Sequence, residues 1–150
     1  DNKSPIYHQM KQSFKYLNEK EKEYFHSLFI FSADLDIPFS VIAIIWDLPS
    51  SKIKPLCRKL YKLSLLKKFN INLEIIQLSS LLRRYFISVS DHKFKQVLVD
   101  VNKKFVEYYE KKYGLNSPDD LLNNLPDNLP VEESNFLRRV YRHHWRRRKQ

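Results

Sequence analysis

The chain has 150 residues, of which 43% are hydrophobic and 14% aromatic. This composition is enough for a packed core and excludes a wholly disordered chain. It contains a single glycine, and because all-β folds need glycine at many turns, a mainly helical chain is indicated. The lone cysteine, Cys57, excludes an internal disulfide and is expected in the core. The net charge of +10 favours an acidic partner.

No apolar run reaches the roughly 20 residues that a membrane span needs, so no membrane contact is expected. The N-terminus lacks the apolar segment of a signal peptide. Together with the absence of cysteine pairs, this predicts a cytoplasmic protein.

The first third of the chain predicts two amphipathic helices, after a disordered stretch over residues 1–4. Apolar residues at helical spacing predict the first helix over residues 5–17. Asn18 and Glu21 then form the pattern of a capping box. The second helix is expected to follow this box and to run to about Phe31.

Two further helices are predicted next. Pro38 is expected in the first turn of a helix that is apolar nearly all round and therefore buried. Asp34 and Asp36, in the preceding loop, are expected to cap it. Leu48-Pro49-Ser50-Ser51 predicts the end of this helix and a fresh N-cap, and a fourth helix is expected over about residues 51–64.

Two short β-prone runs come after these helices. Residues 65–69 and 73–78 predict strands, and Asn70-Ile71-Asn72 predicts the turn, since asparagine tolerates positive φ. The order helix, helix, strand, turn, strand is that of a winged helix. The predicted fold is therefore mostly α, with a winged helix and its two-stranded hairpin wing in residues 1–90.

Residues 91–150 predict a second, helical domain that extends the first. A long helix is expected to end at Gly114 in the left-handed conformation. Ser117 is expected to cap a short helix, and a last helix begins in the low 130s. Seven Arg or Lys residues between positions 138 and 149 make its end basic. This tail is interpreted either as a partner surface or as the cut end of a helix.

One face of the predicted fourth helix is basic. It carries Lys54, Arg58 and Lys62, and the predicted hairpin adds Lys67 and Lys68. In a winged helix such residues could contact phosphates, so DNA binding is an alternative function. The face has no Asn or Gln for reading adenine, which makes nucleic acid the less favoured partner.

The sequence contains no catalytic pattern. A single glycine cannot form a Gly-rich phosphate cradle, so this chain is not expected to be an enzyme. None of the five histidines has the i, i+4 spacing of a helical metal pair. His143 and His144 point about 100° apart on a helix, and surface or cap roles are expected for them. We therefore expect no catalytic residue, no metal and no cofactor held by this chain alone.

The most specific motif is FSADLDIPFSVIAIIW, which runs from Phe31 to Trp46. It resembles the pattern F-x-x-D-x-x-I-P-x-x-x-L-x-x-L-W. Ser64-Leu65-Leu66 precedes the predicted wing, and Leu78-Ser79-Ser80-Leu81 follows it. The residues taken as the core of the motif are Asp36, Ile37, Pro38, Trp46, Leu65 and Leu78. In this order the landmarks resemble the winged-helix domain of the NB-ARC class of STAND NTPases, similar to apoptotic protease-activating factor and its plant and bacterial relatives.

The resemblance covers roughly the first 90 residues, and the helices beyond them resemble the start of the family's second helical domain. In this family the winged helix packs on an upstream nucleotide-binding domain and holds the ADP-bound, autoinhibited state. Exchange for ATP releases it, and the protein assembles into an oligomer. The resemblance thus implies a non-catalytic regulatory segment, with ADP or ATP held by an upstream domain and a homo-oligomer formed by the full-length protein.

The family's histidine that touches the ADP β-phosphate corresponds to Ser79, and the following aspartate to Ser80. A hydroxyl can donate a hydrogen bond to phosphate, but it lacks the reach of an imidazole. These serines therefore have two interpretations: they contact the nucleotide, or they cap the next helix. The substitutions leave a third function open, a stand-alone protein-interaction module that has lost the nucleotide contact.

Overall fold

The computed structural model describes residues 5–113 and 117–148. Within them the chain is mostly helical, with one small antiparallel sheet, as the composition predicts. The helices are α1 (Pro5–Phe14), α2 (Glu19–Ser27), α3 (Phe39–Trp46), α4 (Ser50–Lys62), α5 (Ser80–Ser88), α6 (His92–Tyr113), α7 (Pro118–Asn123) and α8 (Val131–Arg148). The strands are β1 (Ile37–Pro38), β2 (Lys68–Asn70) and β3 (Ile75–Gln77). The expectations for residues 1–4 and for Gly114 lie outside the described residues.

The capping box between α1 and α2 is confirmed. Asn18 Oδ1 accepts from the Glu21 amide at 2.8 Å, and Glu21 Oε1 accepts from the Asn18 amide at 2.9 Å. Helix α1 ends at Phe14 and not at Leu17, because the last amides of the segment turn to carbonyls three residues back. Helix α2 likewise ends before Phe31, and a short 3-10 helix at Leu28–Ile30 follows it.

The segment before α3 corrects the predicted loop. Ile37 and Pro38 form β1 and pair with Ile76 and Ile75 of β3, which gives the strand order β1-β3-β2. Pro38 is not in the first helical turn: its extended backbone (φ −70°, ψ 146°) makes it the N-cap. Proline is tolerated here because β1 lies at the edge of the sheet. Helix α3 begins at Phe39.

The hairpin also differs from its prediction. Both strands are shorter than expected, and Asn70 belongs to β2 and not to the turn. Its Oδ1 accepts from the amides of Asn72 and Leu73, at 3.0 and 2.9 Å. The left-handed backbone falls on Glu74 (φ 55°), not on an asparagine.

One continuous core runs through the described residues. It extends from Met10 to Tyr141 and crosses the predicted domain boundary near residue 90. Helix α6 packs against α2, α3 and α8, which holds the extension on the first half of the chain. Cys57 is fully buried, as expected, and burial raises the pKa of its thiol to about 12. In the described part, no helix combines the length and apolar character needed to cross a membrane.

Candidate functional site at the start of helix α5

Ser79 is the N-cap of α5. Its backbone is extended (φ −76°, ψ 130°), and its Oγ accepts from the Leu82 amide at 3.3 Å. The capping interpretation is confirmed for this residue, whereas Ser80 is the exposed first residue of the helix. Because the Ser79 oxygen is the acceptor in the cap, its hydroxyl hydrogen can be donated to another group.

A small pocket lies beside Ser79. Its volume is about 280 Å³, and it is bounded by α1, the segment between α4 and β2, and the first turn of α5. The polar lining residues are Gln9, Ser13, Ser64, Lys67 and Ser79, and the apolar ones are Met10, Leu63, Leu66, Leu81 and Leu82. No carboxylate lines the pocket, so its polar side chains offer hydroxyl, amide and ammonium donors.

The wall between α4 and β2 is shaped by a helix stop. Ser64 has a left-handed backbone (φ 62°) and donates its amide to the Tyr61 carbonyl at 2.9 Å. The Leu65 amide reaches back to the Leu60 carbonyl, also at 2.9 Å, and both leucines are buried. This pair of bonds and its apolar contact form a Schellman motif, normally built on glycine. The Ser64-Leu65-Leu66 motif therefore ends α4 and turns the chain along the pocket.

Most of the other motif residues have structural roles. Ile37, Pro38, Leu65 and Leu78 are buried in the described fold. Trp46 is 3% exposed. Its indole Nε1 donates to the Tyr24 carbonyl and to the Ser27 hydroxyl, both at 2.8 Å, which ties α3 to α2.

Asp34 and Asp36 do not cap α3, which corrects that prediction. Asp34 accepts from Lys67 Nζ at 2.7 Å. Asp36 lies 3.7 Å from Lys68 Nζ and accepts from Gln77 Nε2 at 2.6 Å. Pro38 occupies the cap position, so the two carboxylates are left to pair with the hairpin.

The basic face of α4 is only partly available for a partner. Lys54, Arg58 and Lys62 are exposed, as the spacing predicts. The Arg58 guanidinium lies 5.9 Å from the centre of the Phe69 ring. Lys67 and Lys68, expected to extend the face onto the hairpin, are opposed by the two carboxylates described above.

The prediction of a surface role is wrong for His144. It is 2% exposed, because its position on α8 faces the core and not the solvent. Neighbouring His143 is exposed. In residues 5–113 and 117–148, no cluster of three or more His, Cys, Asp or Glu side chains could hold a metal ion.

Gln9 was not predicted as a pocket residue. Its only signal in the sequence is the four-residue spacing to Ser13, which places both side chains on one face of α1. Sequence reasoning also missed the buried partners Tyr109 and Glu133, whose hydrogen bond measures 2.7 Å. Burial, together with the Glu133 carboxylate, raises the pKa of Tyr109.

No protein-family model matches the chain, and no curated protein is similar to it.

Proposed function

We propose that this chain is a non-catalytic regulatory and interaction segment of a larger STAND-type NTPase. In this proposal residues 1–90 are a winged helix, and the surface around Ser79 packs on an upstream nucleotide-binding domain. The packing favours an ADP-bound, autoinhibited state, and its release permits assembly of the full-length protein.

One observation carries the proposal: the donor-lined pocket lies at Ser79, the position that corresponds to the family's nucleotide-contacting histidine. The order of elements around it supports a winged helix. A helix, a short strand, two helices and a hairpin follow one another from α2 to β3, with the first strand paired to the last.

The size of the pocket argues against a complete nucleotide site within this chain. At about 280 Å³ it lies at or below the lower end of small-molecule pockets, which span roughly 300–1,000 Å³. The Ser79 hydroxyl suits a single phosphate group presented by another domain, whereas the Lys67 ammonium already pairs with Asp34. The remaining walls of a nucleotide site would come from that domain.

The test uses the polypeptide that precedes Asp1 in the full-length protein, expressed separately. We expect it to contain a phosphate-binding loop, and we expect this chain to bind it more tightly with ADP than with ATP. Leu81→Glu should weaken the ADP-state complex about tenfold or more, because Leu81 is 46% exposed at the pocket and a charge there opposes burial. Isothermal titration calorimetry measures both effects.

The matched control is Leu73→Glu. Leu73 is 48% exposed at the tip of the hairpin, away from the pocket, and its substitution should leave the complex unchanged. Absence of a phosphate-binding loop upstream, or a larger loss with Leu73→Glu than with Leu81→Glu, would refute the proposal. If the affinity for a protein partner were the same with ADP, with ATP and without nucleotide, the stand-alone interaction module would be favoured instead.

DNA binding through α4 has less support. Asp34 and Asp36 lie beside the two hairpin lysines and lower the net positive charge that the hairpin would present to a phosphate backbone. The exposed Lys54, Arg58 and Lys62 also fit an ordinary solvated helix face.

A further inference from the structure

Helix α8 presents two parallel rows of basic side chains to solvent. In each row the residues recur every four positions, so they rise about 6 Å per step along one side of the helix. The rows consist of Arg138, Arg142 and Arg146, and of Arg139, His143 and Arg147, all exposed. We refer to these six residues as the arginine face.

The opposite side of α8 holds the arginine face in place. Phe136, Leu137, Val140 and Tyr141 are buried in the core, and Tyr141 donates to the Val106 carbonyl of α6 at 3.2 Å. The apolar side of the helix is thus already occupied by the protein. No exposed apolar residue interrupts the arginine face, so it lacks the apolar surface by which an interfacial helix enters a membrane.

Few carboxylates of the protein neutralise the positive charge of the arginine face. Arg142 pairs with Asp119 at 2.8 Å, but both side chains are exposed, and such pairs contribute little. Among the described residues, no carboxylate lies within 4.0 Å of the other four arginines of the face. Their positive charge is therefore directed to solvent.

Arg83 adds charge at one end. Its guanidinium donates to the carbonyls of Phe31 and Phe29, at 2.7 and 3.0 Å, which fixes it on the segment of the 3-10 helix. Burial, and then the positive charge of Arg147, lower the pKa of Arg83.

We propose that the arginine face binds the phosphate backbone of double-stranded DNA without sequence specificity. Arginine is the residue suited to bidentate contact with phosphate, and the face contains no lysine. The major groove of B-DNA is about 12 Å wide and admits an α-helix. A helix seated there can direct one basic row to each flanking strand, whereas the deep, narrow major groove of duplex RNA cannot receive it.

The test is binding of the 150-residue chain to a fluorescently labelled 20-base-pair DNA duplex, followed by anisotropy at several salt concentrations. If the four arginines without a carboxylate partner each neutralise a phosphate, the slope of log Kobs against log salt is about −3.6. Arg139→Gln combined with Arg146→Gln should reduce that slope by about 1.8 and weaken binding about tenfold or more near 0.1 M salt. Both side chains are exposed, and circular dichroism verifies that the fold is retained.

The matched control is Lys54→Gln combined with Lys62→Gln, which removes the same charge from the exposed face of α4. It should change affinity by less than about twofold if α8 is the binding surface. An equal loss in both double variants contradicts the proposal, because it indicates a response to net charge alone. Equal affinity for an RNA duplex, or tighter binding to phosphatidylserine vesicles at the same salt, also contradicts it.

Discussion

His144 is buried in the core, where its partner Asn102 fixes the tautomer of the imidazole. Nδ1 of the imidazole lies 2.5 Å from Asn102 Oδ1, and because a carbonyl oxygen only accepts, that nitrogen carries the proton. Asn102 Nδ2 donates in turn to the His144 carbonyl at 3.0 Å. Burial, with the positive charges of His143, Arg147 and Arg83, lowers the pKa of His144 to about 3.

The buried imidazole of His144 predicts a loss of stability in mild acid. His144 stays neutral in the folded protein down to about pH 3, whereas in the unfolded chain it binds a proton below about pH 6.5. Stability is therefore complete above pH 6.5 and falls as the pH drops toward 3. At pH 5 the cost is about 2 kcal/mol. His26, whose pKa is lowered to about 4 by burial and then by Lys22, adds to it. Thermal unfolding at pH 7 and pH 5 measures the loss.

His144→Gln should remove about half of the stability difference between pH 7 and pH 5, because it leaves His26 as the remaining buried imidazole. His143→Gln is the control, since His143 is exposed and should preserve the difference. The same pH dependence in all three proteins would show that His144 is not the titrating group.

At the scale of elements, the hairpin depends on one side chain. Asn70 Oδ1 accepts two backbone amides of the turn and so replaces the glycine that a tight hairpin normally uses. Glu74 then accepts the left-handed backbone at the end of the turn, and its carbonyl receives the Phe39 amide at 2.8 Å. The turn thereby helps to position the start of α3.

Asn70→Ala should destabilise the protein by about 1–2 kcal/mol, because two amides lose their acceptor. Asn70→Asp keeps the side-chain oxygen that accepts both amides and should stay close to wild type. Hydrogen exchange of the Asn72 and Leu73 amides, together with thermal unfolding, measures the effect. Equal protection of these amides in the alanine and aspartate variants would contradict this role for Asn70.

The predictable elements are those fixed by local spacing. The apolar period, the capping box at Asn18 and the Ser117 cap of α7 all act over a few residues, so the sequence reveals them. Strand β1 is two residues long and exists through its pairing with β3, 38 residues further on, which no local pattern encodes. For the same reason local spacing favours a cap for Asp34 and Asp36, whereas their partners lie on the hairpin.

The candidate site was predictable only in part. Ser79 could be singled out by motif order, and its cap by residue type. The pocket beside it needs Gln9 and Ser13 from α1 to meet Ser64 and Lys67 from a distant segment, which is a property of the tertiary fold.

At the scale of the whole molecule, Phe31 joins the two halves of the chain. It follows the 3-10 helix, is fully buried, and its ring lies edge-on to Phe105, Phe136 and His144 at centroid distances of 5.0–5.2 Å. These three rings come from α6 and α8, in the second half of the chain. Phe31, from the first half, is therefore enclosed by side chains of the second half, and we call these three rings the cage around Phe31.

Phe31→Ala should cost about 3–5 kcal/mol, because it leaves a cavity in the middle of the core. Phe69→Ala, on the half-buried hairpin, removes the same atoms and should cost less than half as much. Chemical denaturation followed by circular dichroism and by tryptophan fluorescence measures both. Wild type should unfold in one transition by the two probes, and two separated transitions would contradict a shared core.

The cage around Phe31 also restricts rotation of the two halves of the chain relative to each other. Trp46 and the Ser79 pocket lie in the half that contributes the phenylalanine, and the arginine face lies in the half that surrounds it. Turning one half against the other would pull a fully buried ring out of its contacts. The described residues should therefore move as one rigid body, so that a rotation at the pocket turns the arginine face by the same angle.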